Sequence, residues 1–326
     1  MSKIKKMNLV VLLMLAFALL TPLMMFAQGG KDKPEYHYQW SVAPTDGSWY
    51  VLASAFWDIW RKEIPELEVT ILPGGGHGNV ISVGERMTEM GMASSTDISG
   101  AYHGVIPFEN EQYKDIRMLM TLNSEAMYTV TWKKNTNLNT LLDIRGTRVN
   151  VKPKGYSSHE LNKIVFKAAG LDMDRDMKSE YLGDDEAIQL MQDNQLDVLM
   201  SGGSIPDSAY VELSLGTPIK ILPYGDDIIE HVIQLNPGLF RTVLPAGTYN
   251  GVDKDVPVVG YSLAVFVHKD LPEDLIYKMV KAIDEHISEV YDAVDQMRGV
   301  AAKDLFKNIG VPYHPGAAKY INEKGY

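Results

Sequence analysis

The sequence predicts an α/β protein of two lobes with a cleft between them. Three observations carry that prediction: strand and helix signatures alternate, the alternation restarts near Met127, and extended apolar segments connect the two runs. The 326 residues allow two buried cores, at roughly 150 residues per domain.

The N-terminus sets the compartment. A basic start (Lys3, Lys5, Lys6), an apolar run from Leu9 to Leu20 and a small residue at Ala27 have the order of a secretory signal over residues 1–27. Leu9 to Ala27 also approaches the length of a membrane anchor, but Pro22 and the short apolar run favour the removable signal. The mature chain is therefore expected in the periplasm, where ATP- or NAD-dependent chemistry lacks its cofactor. Formal charge is −11, and loss of the three signal lysines takes it to −14. No basic stripe offsets that charge, so no nucleic-acid partner is expected. The chain has no cysteine, which rules out disulfides, thiolate metal sites, cysteine nucleophiles and a lipid-linked cysteine.

After a polar tether, Tyr36, Tyr38, Trp40 and Val42 alternate with polar residues and predict a strand. Leu52, Ala53, Phe56, Trp60 and Ile64 recur at helical spacing, predicting an amphipathic helix that stops before Pro65. A strand over Glu68 to Leu72, a short helical stretch through Met87 and a strand at Met90 to Ala93 complete the first unit. The second unit reads as a strand at Met127 to Trp132, a short helix at Leu138 to Ile144 and a strand at Thr147 to Val151. Ser157 and Glu160 have capping-box spacing before a helix over Leu161 to Ala169, with Gly170 as its C-terminal stop. Lys178 to Leu182, Asp184 to Asn194, Val198 to Ser201 and Ile219 to Leu222 continue the alternation, which argues for mostly parallel strands. Val258 to Val267 predicts a long buried strand, and Leu275, Ile276, Met279, Val280, Ile283, Ile287 and Val290 predict one helix face.

Five glycine- or hydroxyl-rich loops fall at predicted strand ends. They are Thr45-Asp46-Gly47-Ser48 with Trp49 and Tyr50 behind it, Gly74-Gly75-Gly76-His77-Gly78-Asn79, Ser94-Ser95-Thr96, Gly155-Tyr156-Ser157-Ser158, and Ser201-Gly202-Gly203-Ser204. Ligands of open α/β sheets bind outside the carboxyl ends of strands, where helix N-termini offer unpaired N–H groups. The five together predict a site for a small polar or anionic ligand, although one such loop alone is usually a turn. The Gly74 loop has no Gly-Lys-Ser/Thr and is not a nucleotide loop. The eight histidines show no metal-ligand spacing, and no Gly-x-Ser-x-Gly elbow occurs. Asp184, Asp185 and Glu186 read as an acidic first turn of a helix. Phe56 and Trp60 belong to the core side of their helix, whereas Trp49 and Tyr50 suit a cleft wall.

Several blocks then resemble the TAXI class of solute-binding proteins that serve TRAP transporters. They are Pro73 to Gly76 with Asn79-Val80, Met90-Gly91 with Ser94 to Asp97, Ala101 to Gly104 with Pro107-Phe108, Asp115 to Arg117, and Leu142 to Val149. Pro245 to Tyr249, Asp255 to Gly260 and Pro312 to Ala317 complete them. The resemblance implies a bilobed type II periplasmic-binding-protein fold with a discontinuous first lobe (28–132 and 258–326) and an inserted second lobe (133–257). It implies a hinge that pairs Met127–Trp132 with Val258–Val267, and carboxylate ligands such as glutamate or 2-oxoglutarate. It also implies an ion-driven TRAP permease as partner, no cofactor, and the loops named above as contacts. Tyr156 stands where the family has a small residue, and its phenol would narrow the cleft or add a stacking or hydrogen-bonding group. Asp46, an ordinary turn residue, would favour an amine or polyol if it faced the ligand. The expected role is thus an extracytoplasmic receptor without catalysis. The alternatives are a receptor for an ABC importer, and a cofactor-free periplasmic enzyme with His77 or His159 as base.

Overall fold

The computed structural model describes residues 35–45, 47–154 and 156–326. The expected export signal, Asp46 and Gly155 lie outside the described residues. One mixed ten-stranded sheet runs through both halves of the molecule, in the order β2-β1-β3-β10-β4-β7-β5-β6, with β8 also on β4 and β9 on β10.

The first half starts with β1 (Tyr36–Ser41), α1 (Ser48–Glu63), β2 (Leu67–Leu72), α2 (Gly76–Gly84), β3 (Met90–Ser94) and α3 (Ser95–His103). The spacing in α1 places Phe56 and Trp60 inward as expected, both fully buried. Trp60 packs on Trp40 with ring centroids 5.3 Å apart and donates its indole N–H to the carbonyl of Met279 at 2.9 Å. Each such buried aromatic contributes about 1.5–3 kcal/mol. Met279 lies on α8 (Glu273–Glu285), which with α9 (Ile287–Ala293) and α10 (Pro315–Lys324) shares the core of α1 and β1. The chain's end therefore closes its beginning. The single C-terminal helix that the sequence suggests is broken at His286, whose φ of −114° and ψ of 22° separate α8 from α9.

The second half holds β5 (Arg148–Asn150), α4 (Ser157–Ala168), β6 (Lys178–Glu180), α5 (Asp184–Gln192), β7 (Val198–Gly203) and α6 (Ser208–Gly216). β8 (Ile219–Leu222), α7 (Asp226–Leu235) and β9 (Phe240–Leu244) complete it. Its side chains form cores of their own around Phe166 and Tyr210. The expected helix at Leu138–Ile144 is a 3₁₀ turn, Leu141–Ile144, whose capping box is Thr140 with Asp143. At α4 the expected Ser157–Glu160 capping box is absent: Tyr156 holds the N-cap position with no side-chain cap, and Glu160 pairs with Lys163 at 2.7 Å. Gly170 does follow the helix end in the left-handed region, at φ 63°.

Two long strands join the halves. β4 (Ile116–Trp132) begins well before the predicted Met127, and β10 (Val256–His268) runs antiparallel beside it. Their register passes from His268 opposite Ile116 to Val259 opposite Met127, with irregularities between Ser262 and Ala264 and between Val265 and Phe266. The sheet is parallel in its wings (β1 with β2 and β3, β5 with β6 and β7) and antiparallel wherever β4 or β10 takes part. The expectation of mostly parallel strands fails at this centre, because a chain that crosses between lobes and returns must run both ways. Among the described residues no helix is long and apolar enough to cross a membrane.

Candidate functional site

A cavity of about 920 Å³ opens between the halves. From the first half it is lined by Val42 to Pro44 after β1, by Gly47, Ser48 and Trp49 at the start of α1, and by Gly76 at the start of α2. From the second half come Tyr156, Ser157 and Ser158 at the start of α4, Asp184 at the start of α5, Gly202 to Ser204, and Pro206 to Ser208 at the start of α6. Glu125 of β4 and Tyr261 of β10, opposite each other in the register, lie where the strands cross; Asp295 and Gln296 close the rim. Five helix N-termini (α1, α2, α4, α5 and α6) thus face one space, each equivalent to roughly half a positive charge.

Of the residues expected in the site, the structure brings together Gly47, Ser48, Trp49, Gly76, Tyr156, Ser157, Ser158 and Gly202. Tyr156 is 59% exposed despite its bulk, so its ring stands free in the opening. Thr45, Tyr50, Gly75 and His77 lie beside the cleft but do not line it. Others are buried and have different work. Asn79 donates its amide to the carbonyls of Val42 and Met92, both at 2.7 Å, and fastens the ends of β1 and β3 together. Ser94 caps α3 by accepting from the Asp97 N–H at 3.1 Å. Ser95 donates to the Gly238 carbonyl at 2.7 Å and accepts from the Ser262 N–H at 3.0 Å, bolting the two halves at their waist. Thr96 and Ser201 are 1% exposed. The hydroxyl-rich loops therefore divide into a wall set and a framework set, which composition does not separate.

The lobes touch at the cleft floor. Ser157 donates its hydroxyl to Asp97 Oδ2 at 2.6 Å, and Ser94 donates to the same oxygen at 2.8 Å. Asp97 is 1% exposed. The Asp97 carboxylate also raises the proton affinity of His77, whose Nδ1 lies 3.8 Å away and whose ring stacks on Phe108. His159 is buried, with Nδ1 3.0 Å from the Val151 carbonyl. Neither histidine lines the cleft.

The lining residues missed by sequence reasoning include Tyr261 and several acidic side chains. Burial pushes the Glu125 carboxyl above the ordinary range; Tyr261 and Asn123 partly offset this, and the Asp207 charge adds to it. Burial likewise raises Asp207, which accepts from the Ala209 N–H at 2.9 Å as the N-cap of α6. Asp207 is itself held by the Tyr249 hydroxyl, which accepts its backbone N–H at 2.9 Å and meets the Tyr128 hydroxyl at 2.7 Å. Asp184 is paired with the buried Lys152. A signal for Glu125 was present: it is a lone charge between the apolar runs Met118–Leu122 and Ala126–Tyr128.

Among solved structures, the chain resembles a TctC solute binding protein from Polaromonas, at 14% identity over 89% of this chain and 99% of that one, TM-score 0.53. It also resembles the periplasmic aliphatic sulphonate binding protein of Escherichia coli, at 18% identity over 89% of this chain and 79% of that one, with TM-score 0.47. The first of these supports the bilobed solute-binding fold. The model of the NMT1-like family matches residues 41–325, nearly all of the described chain, and the protein belongs to that family.

Proposed function

We propose that this protein is an extracytoplasmic solute receptor that closes its two lobes on a small polar solute and delivers it to a TRAP-type secondary transporter. The observation that carries the reading is the cleft itself: both lobes line it, five helix N-termini face it, and two continuous strands form its hinge. Membership of the NMT1-like family and the solute-binding fold agree with it. The signal-like N-terminus supports placement in the periplasm, and the TAXI resemblance supports the choice of transporter. The inserted second lobe, 133–257, is the moving body in this reading, with the first lobe formed from 28–132 and 258–326. Binding rather than turnover is favoured because neither candidate base, His77 or His159, lines the cleft.

Lobe closure is driven by the differential affinity of the solute for the closed state. The test is uptake into membrane vesicles from cells that produce this receptor. Solute accumulation that needs the receptor and an ion gradient, and no ATP, supports the proposal. Accumulation that needs ATP contradicts the transporter assignment, and product formation by the receptor alone contradicts the binding role.

A further inference from the structure

The charged side chains that line the cleft are all of one sign. Four carboxylates line it (Glu125, Asp184, Asp207 and Asp295), and no Lys, Arg or His does so among the described residues. Lys152 answers one of them through its contact with Asp184, and Arg298 answers another from 3.1 Å at Asp295, which leaves Glu125 and Asp207 without a cationic partner. Asp207 uses one oxygen to cap α6. Glu125 has no cationic partner: its contacts are the Asn123 amide at 3.4 Å and the Tyr261 hydroxyl.

Resting on the receptor reading above, we propose that the solute is a small organic cation, whose primary ammonium or guanidinium group is received by Glu125 and Asp207 on the cleft floor. Two further observations fit. Trp49, Tyr156 and Tyr261 bring aromatic rings to the same space, and aromatic faces attract organic cations. No three His, Asp or Glu side chains among the described residues converge closely enough to hold a metal ion. Carboxylates spread in this way suit an extended cation rather than a bare metal. Burial raises both carboxyls, helped by the Asp207 charge at Glu125 and by the Asp184 charge at Asp207, and an arriving cation relieves both. A dicarboxylate, the class implied by the TAXI resemblance, would meet repulsion at the same place.

The test is calorimetric titration and thermal shift of the mature chain with putrescine, agmatine, glutarate and glucose as probes, together with small-angle scattering. The expected result is stabilisation and compaction by putrescine or agmatine only, with an affinity loss of about tenfold or more in Glu125→Gln. Asp207→Asn, which keeps an N-cap residue, should show the same loss with the fold intact. No response to either amine, or amine binding unchanged in both variants, overturns the inference. Stabilisation by glutarate or glucose instead overturns it while leaving the receptor reading in place. Absence of compaction with every probe counts against that reading as well.

Discussion

Replacing Ser157 by alanine removes a hydrogen bond that spans the two lobes, and its effect can be worked from the structure. Asp97 is 1% exposed and its Oδ2 accepts from Ser94 at 2.8 Å and from Ser157 at 2.6 Å. A hydrogen bond to a charged group is worth about 1.5–3 kcal/mol. Opening lets water replace part of it, so the closed state should lose about 1–2 kcal/mol, a factor of about 5–30 in the ratio of closed to open forms. The assay is the interlobe distance distribution of the solute-free protein, from labels at Arg61→Cys on α1 and Glu186→Cys on α5, both exposed. The chain has no cysteine of its own, so the background is clean. Ser157→Ala should move the distribution toward longer distances. Ser94→Ala is the control: it strips a bond from the same carboxylate within one lobe, and should lower stability by about 1 kcal/mol without opening the cleft. Equal distributions in wild type and Ser157→Ala, or opening in Ser94→Ala alone, would refute the reasoning.

Other outcomes follow from the same contacts. A Cβ at Gly76 would lie 2.6 Å from Ser157 Oγ and 3.1 Å from Asp97 Oδ2, so Gly76→Ala should wedge the lobes apart and weaken solute binding, read by titration, with little fall in Tm. Asn79→Ala strands two buried carbonyls, each costing about 1–3 kcal/mol, and should lower Tm by several degrees while the solute preference stays unchanged. Glu125 binds protons more tightly folded than unfolded, so its contribution to stability is present below the ordinary carboxyl pKa and is lost as pH rises through the raised one. Calorimetric scans across acidic pH should therefore show that Glu125→Gln stabilises the solute-free protein more as pH rises. Equal pH slopes in the two proteins would remove Glu125 as a strained group.

Much of the fold is legible in the sequence, for reasons visible in particular residues. Helical spacing identified α1 because Phe56 and Trp60 serve one core. The buried run of β10 stood out because both its faces are covered. β4 was read short because its first half, Ile116 to Asn123, lies before a loop-like Asn-Ser-Glu; Glu125 interrupts the apolar pattern where the strand reaches the cleft. The Ser157–Glu160 spacing suggested a local cap, but the serine turns across the cleft to Asp97, a contact that tertiary structure alone creates. Likewise Ser95 and Asn79 have the chemistry of ligand contacts and are spent on backbone partners. The C-terminal block Pro312 to Ala317 is architectural: His314 caps α10, and Gly316 lies where a Cβ would stand 2.1 Å from the Glu273 carbonyl, so that α10 seats on α8.

The central claim is that the cleft closes on a solute, and the Arg61→Cys and Glu186→Cys pair tests it most directly. A solute that raises the Tm of the protein should shift the label distance to a single shorter value, and Tyr156→Ala should weaken that shift. A solute that stabilises the protein and leaves the distance distribution unchanged would contradict the account.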